Sequence, residues 1–91
     1  MVWKYRSDVE QFARDEHVNL LRGLAALIPE VQSLSVGVDT LHLARSYDTG
    51  LVATFADRAA LDVYTVHPEH IKVVELGRAI SENVVSVDFI D

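Results

Sequence analysis

The chain has 91 residues, 49% of them apolar, and a net charge of −6; that suffices for one packed domain and is too little for two. It contains no cysteine, which excludes disulfides, thiolate metal sites and thiol nucleophiles and makes a cytoplasmic setting the expectation. The eight Lys and Arg are scattered, leaving no basic stripe for nucleic acid.

Met1 to Arg6 is a short β-prone run. Ser7 with Glu10 three residues on reads as a capping box. Val9, Phe12, Ala13, Leu20, Leu21, Leu24, Ala25, Leu27 and Ile28 then recur at helical spacing, predicting one amphipathic helix of about five turns. Pro29 ends it, because the residue before a proline is pushed out of the helical region. The longest apolar run is Leu24–Ile28, far short of a bilayer span, so no membrane partner is expected. No secretory leader is read at the start.

Val31 to Val38 alternates from Leu34 onward, as a half-buried strand does. Asp39 to Asp48 is a polar loop with His42 and Arg45. Leu51–Phe55 is apolar at nearly every position, predicting a strand covered on both sides. Asp57 caps a helix from Arg58 to about Thr65. Pro68 starts another that runs to about Ile80. Val84 to Ile90 reads as a closing strand.

This order gives an α+β domain over residues 1–91: a ferredoxin-like four-stranded antiparallel sheet with helices on one face. The other face would leave apolar side chains of Leu51–Phe55 in water. A two-fold homodimer pairing the two sheets into a barrel would cover them.

Several segments carry a family resemblance: Trp3-Lys4-Tyr5-Arg6, Ile28-Pro29-Glu30-Val31 with Leu34 and Gly37, and Arg45-Ser46-Tyr47-Asp48. Ala60-Leu61 with Tyr64, His67-Pro68-Glu69-His70 and Val87-Asp88-Phe89 complete the set. In this order and spacing the chain resembles the stress-responsive A/B barrel (Dabb) proteins of the dimeric α+β barrel superfamily. The resemblance implies the same fold and a homodimer. Some relatives are polyketide cyclases that use a tyrosine and the second histidine of a Tyr-x-x-His-Pro-x-His segment. By position these correspond to Tyr64 and His70. Relatives often carry a longer first strand with a histidine before the Trp-Lys pair; this chain begins two residues before Trp3.

Two imidazoles and a phenol within seven residues, at a forced helix break, concentrate the chemistry of the chain. His67 reads as the cap of the Pro68 helix, with Val66 and Ile71 as a hydrophobic staple. His70 falls on the third helical position, where the helix dipole opposes protonation and favours a neutral imidazole. A neutral His70 suits a general base, and Tyr64 suits a hydrogen-bond donor to a developing enolate. These two are the catalytic candidates. His67, Trp3 and Phe55 are the candidate ligand contacts, although Trp3 near the start of a strand suits core or dimer interface better than a ligand platform. His17 lies on the long helix among charged neighbours and reads as solvated.

No metal site is expected, since His67 and His70 lack a third ligand. No cofactor is expected either, and no phosphate loop, dinucleotide fingerprint or nucleophile elbow is present. The leading reading is a Dabb homodimer of unassigned role that binds a small apolar or aromatic molecule between helices and sheet. The alternatives are a cofactor-independent polyketide-type cyclase acting through His70 and Tyr64, and a non-catalytic stress-related structural dimer.

Overall fold

In the computed structural model, which describes all 91 residues, four strands form one antiparallel sheet. They are β1 (Val2–Tyr5), β2 (Val31–Val38), β3 (Thr49–Phe55) and β4 (Ser81–Val85). Their order is β2-β3-β1-β4, and every adjacent pair is antiparallel. The helices are α1 (Gln11–Arg22), α2 (Leu24–Leu27), α3 (Arg58–Val66) and α4 (Pro68–Ile80). This is the ferredoxin-like α+β arrangement. No helix is long and apolar enough to cross a membrane.

The first helix differs from expectation at both ends. It starts at Gln11 with Glu10 as the N-cap residue, and no side chain caps it. Arg14 explains the delay: its guanidinium donates to the carbonyls of Arg6 and Val9 and lies over the Tyr5 ring. That holds residues 6–9 in a turn, closed by Val9 N–H to Arg6 O. Gly23 then separates α1 from α2. Ile28 leaves the helix in an extended conformation, as a residue before proline should.

The sheet register sorts side chains by face. Leu34, Val36, Leu51 and Phe55 pack toward the helices with Trp3, Tyr5, Leu21, Leu24, Ile28, Val31, Tyr64 and Val73. Leu24 and Ile28 are fully buried, each stabilising the fold by about 1.5–3 kcal/mol. Register places Val2, Lys4, Ser33, Ser35, Gly37, Gly50, Val52, Thr54, Asn83 and Val85 on the other face. β3 is therefore not apolar on both sides: Val52 and Thr54 are exposed, and the open face is less greasy than its sequence implied.

The last strand also stops early. β4 pairs with β1 as far as Val85 opposite Val2, and residues 86–91 belong to no strand. Val87, Phe89 and Ile90 are left exposed.

Candidate functional site

α3 and α4 meet at a single residue, His67, which ends one helix and caps the next. The α3 N-terminus is fixed by the Asp57 carboxylate, which accepts the Ala60 N–H at 2.8 Å. α4 begins with Pro68, whose missing N–H would have had no partner. The His67 Nδ1 accepts the Glu69 N–H at 3.1 Å, so His67 acts as a capping residue. Val66 and Ile71 are both exposed and form no buried staple.

This junction brings Tyr64 and His70 together. Their rings stack with centroids 4.0 Å apart and planes inclined by 28°. Phe55, at the end of β3, lies 4.9 Å from the Tyr64 ring. The His70 Nδ1 is 3.3 Å from the Thr65 carbonyl oxygen. A carbonyl only accepts, so in the neutral ring the proton sits on Nδ1 and Nε2 keeps its lone pair. Burial lowers the His70 pKa, partly opposed by hydrogen bonds to the Thr65 and Tyr64 backbone. Desolvation is thus the leading cause of the lowering, with the neighbouring His67 adding to it. Burial, reinforced by the Asp88 carboxylate, pushes the Tyr64 phenol up to about 12. Tyr64 stays a protonated donor at neutral pH.

Trp3 stands apart from this pair. It is 2% exposed and meets His17 edge-on, with centroids 5.1 Å apart. His17 is 0% exposed, contrary to its reading as solvated. Its Nδ1 is hydrogen-bonded to the Tyr5 hydroxyl at 2.7 Å, which also bonds Thr49 Oγ1 at 2.9 Å. The His17 Nε2 is buried without a partner. Desolvation lowers the His17 pKa to about 4 and raises that of Tyr5. The alternation of Trp3 and Tyr5 places both on the helix-facing side of β1, but nothing local marks His17 as the residue that meets them.

Surface depressions of about 490, 310 and 230 Å³ lie elsewhere, and none of the three is lined by Tyr64 or His70. His42 borders the smallest of these, beside Tyr5 and Asp48. No three His, Cys, Asp or Glu side chains converge where a metal ion could be held.

The fold recurs in solved structures. A dimeric ferredoxin-like protein of unknown function from Jannaschia sp. CCS1 is 28% identical with a TM-score of 0.73; the alignment covers 90% of this chain and 82% of that one. Another from Thermobifida fusca YX is 22% identical with a TM-score of 0.80, covering 90% and 77%. A hydroxynitrile lyase from Passiflora edulis is 18% identical with a TM-score of 0.82, covering 92% and 82%. Among curated proteins, none matches this chain. The family profile described as the Stress responsive A/B Barrel Domain (Dabb) matches residues 1–91. With its fold and its full length both accounted for, the chain belongs to the Dabb family.

Proposed function

We propose that this protein is a homodimer, joined through the open sheet face, that binds a small apolar or aromatic molecule against Phe55, Tyr64 and His70. The observation that carries the ligand reading is the Tyr64–His70 stack. A phenol donor beside a neutral imidazole nitrogen with a free lone pair, set among aromatic rings, suits a small apolar or aromatic ligand bearing a single polar group. The dimer is supported by relatives of the same fold that are themselves dimeric.

A second reading, proton-transfer catalysis of the cyclase type, is favoured by the hydrogen bond from His70 Nδ1 to Thr65. That bond leaves Nε2 as the basic atom. His70 would take a proton from a carbon next to a carbonyl, and the Tyr64 hydroxyl would donate to the enolate oxygen that forms. Reprotonation or carbon–carbon bond formation would then consume the enolate.

Ligand-observed NMR with acetophenone tests both readings, followed by deuterium exchange of its methyl group in D₂O. A binder shows saturation transfer that Tyr64→Ala and Phe55→Ala reduce. An enzyme also accelerates exchange, and His70→Ala removes on the order of 10²–10⁴ of that acceleration while binding persists. Binding without exchange leaves the binder alone. Absence of binding across a panel of small aromatic ketones defeats both and favours a structural dimer.

A further inference from the structure

The cavity of about 230 Å³ lies between α1 and the loop of residues 39–48, and Tyr5 and Thr49 line it. Behind them runs a buried chain: His17 Nδ1, the Tyr5 hydroxyl and Thr49 Oγ1, linked at 2.7 and 2.9 Å. Burial keeps both His17 and Tyr5 uncharged at neutral pH, so three groups bring three protons to two hydrogen bonds. One proton is left over. It belongs either to His17 Nε2, which is buried without a partner, or to the Thr49 hydroxyl at the cavity. Trp3 decides between them. Its indole N–H can only donate. A Cβ on Gly77 would lie 3.0 Å from Trp3 Nε1 and 2.7 Å from His17 Nε2, so the two nitrogens border one spot. A bare Nε2 suits an indole N–H beside it, whereas a second N–H there is a buried donor with nothing to accept it. The proton therefore sits on Nδ1, which donates to Tyr5, and Tyr5 donates to Thr49. That leaves the Thr49 O–H, on a residue 3% exposed, with no acceptor within the chain.

We propose that this cavity binds a small organic cation that carries a hydroxyl group, an amino alcohol by chemical class. The ligand oxygen accepts the Thr49 proton. The rest of the lining matches the ammonium. Asp15, Asp39 and Asp48 border the cavity, and each engages one carboxylate oxygen with a donor of the chain: Gln11 Nε2, the His42 N–H and the Tyr5 N–H. The second oxygen of each accepts nothing from the chain. Arg14 is the one Arg or Lys in the lining, and its guanidinium already donates to the carbonyls of Arg6 and Val9. The cavity therefore keeps a net negative charge that an ammonium group offsets. No three acidic or histidine side chains converge as a metal ion needs, which selects an extended organic cation over a bare ion. The volume falls below the roughly 300–1,000 Å³ of pockets for drug-sized ligands, so the ligand is small. Neither Tyr64 nor His70 lines this cavity, and the site is separate from theirs.

Titration of the full chain with ethanolamine at neutral pH, followed by ¹H–¹⁵N NMR, tests this. Propylamine lacks the oxygen, ethylene glycol lacks the charge, and both serve as controls. Ethanolamine is expected to shift the amides of Tyr5, Asp39 and Thr49 saturably at millimolar concentration. Each control should bind at least roughly fivefold more weakly. Thr49→Val should bring ethanolamine down to the level of propylamine, and Thr49→Ser should restore it. If Thr49→Val folds poorly, Asp39→Asn gives a second readout: it should weaken both amines and leave ethylene glycol unchanged. Long-range ¹⁵N–¹H correlation of the His17 ring should find its proton on Nδ1. Four results overturn the site: a His17 proton on Nε2, equal binding of ethanolamine and propylamine, shifts that grow without saturating, or calcium chloride moving the same amides at lower concentration than ethanolamine.

Discussion

The Tyr5 hydroxyl and the His17 Nδ1 are joined at 2.7 Å in the centre of the core. Only the neutral imidazole is tolerated there, since burial lowers the His17 pKa to about 4. In the unfolded chain an ordinary histidine titrates near 6.5. The folded value is depressed, so protons favour the unfolded chain. The stability tied to His17 is complete above pH 6.5 and is lost as pH falls toward 4. At about 1.4 kcal/mol per unit, that loss approaches roughly 3 kcal/mol. Urea unfolding of wild type and His17→Phe between pH 7 and pH 4 measures it. The wild type should lose stability more steeply, and parallel curves would refute the assignment.

Gly77 on α4 makes room for that histidine. A Cβ there would lie 2.7 Å from His17 Nε2 and 3.0 Å from Trp3 Nε1. Both rings are buried and have little space to yield. In an exposed helix, Gly→Ala gains about 1 kcal/mol. Overpacking of a core costs about 1–3 kcal/mol, and here the clash should win. Gly77→Ala is expected to be destabilising by about 1–2 kcal/mol in urea titrations, and a stabilised variant would contradict the packing.

How far the sequence carried this structure depends on the reach of each contact. The alternation of β2, the Asp57 cap and the Pro68 restart are local signals, and each element forms where its signal stands. The Ser7 capping box was also local, yet it lost to Arg14 bonding back to Arg6 and Val9. The burial of His17 was illegible because the groups that meet it, Trp3 and Tyr5 on β1 and Gly77 on α4, are distant in sequence. Val84 to Ile90 alternates throughout, but a strand lasts only as long as its pairing, and pairing with β1 stops at Val85 opposite Val2. The nearness of Tyr64 and His70 was legible because one short helix break joins them.

The Asp57 cap gives a local check on α3, the helix that carries Tyr64. Its carboxylate satisfies the Ala60 N–H at a solvent-exposed helix start. Asp57→Ala should cost about 1 kcal/mol of stability without changing oligomeric state. A loss below a few tenths of a kcal/mol would show that tertiary contacts alone hold that helix.

Leu24 sits at 0% exposure between the first helical segment and the sheet. Leu24→Ala leaves a cavity that its close-packed neighbours fill only in part. The expected cost is about 2–5 kcal/mol, read as a drop in the urea midpoint at unchanged slope. A cost under 1 kcal/mol would mean that the core relaxes around the gap.

The functional account stands on the state of His70, and long-range ¹⁵N–¹H correlation of its ring across pH 4 to 8 reads that state directly. The account predicts a single proton on Nδ1 at neutral pH and a titration midpoint below the ordinary histidine value, as burial dictates. A ring doubly protonated at neutral pH would leave no basic nitrogen, and one carrying its single proton on Nε2 would turn its lone pair toward the Thr65 carbonyl; either result would contradict the account.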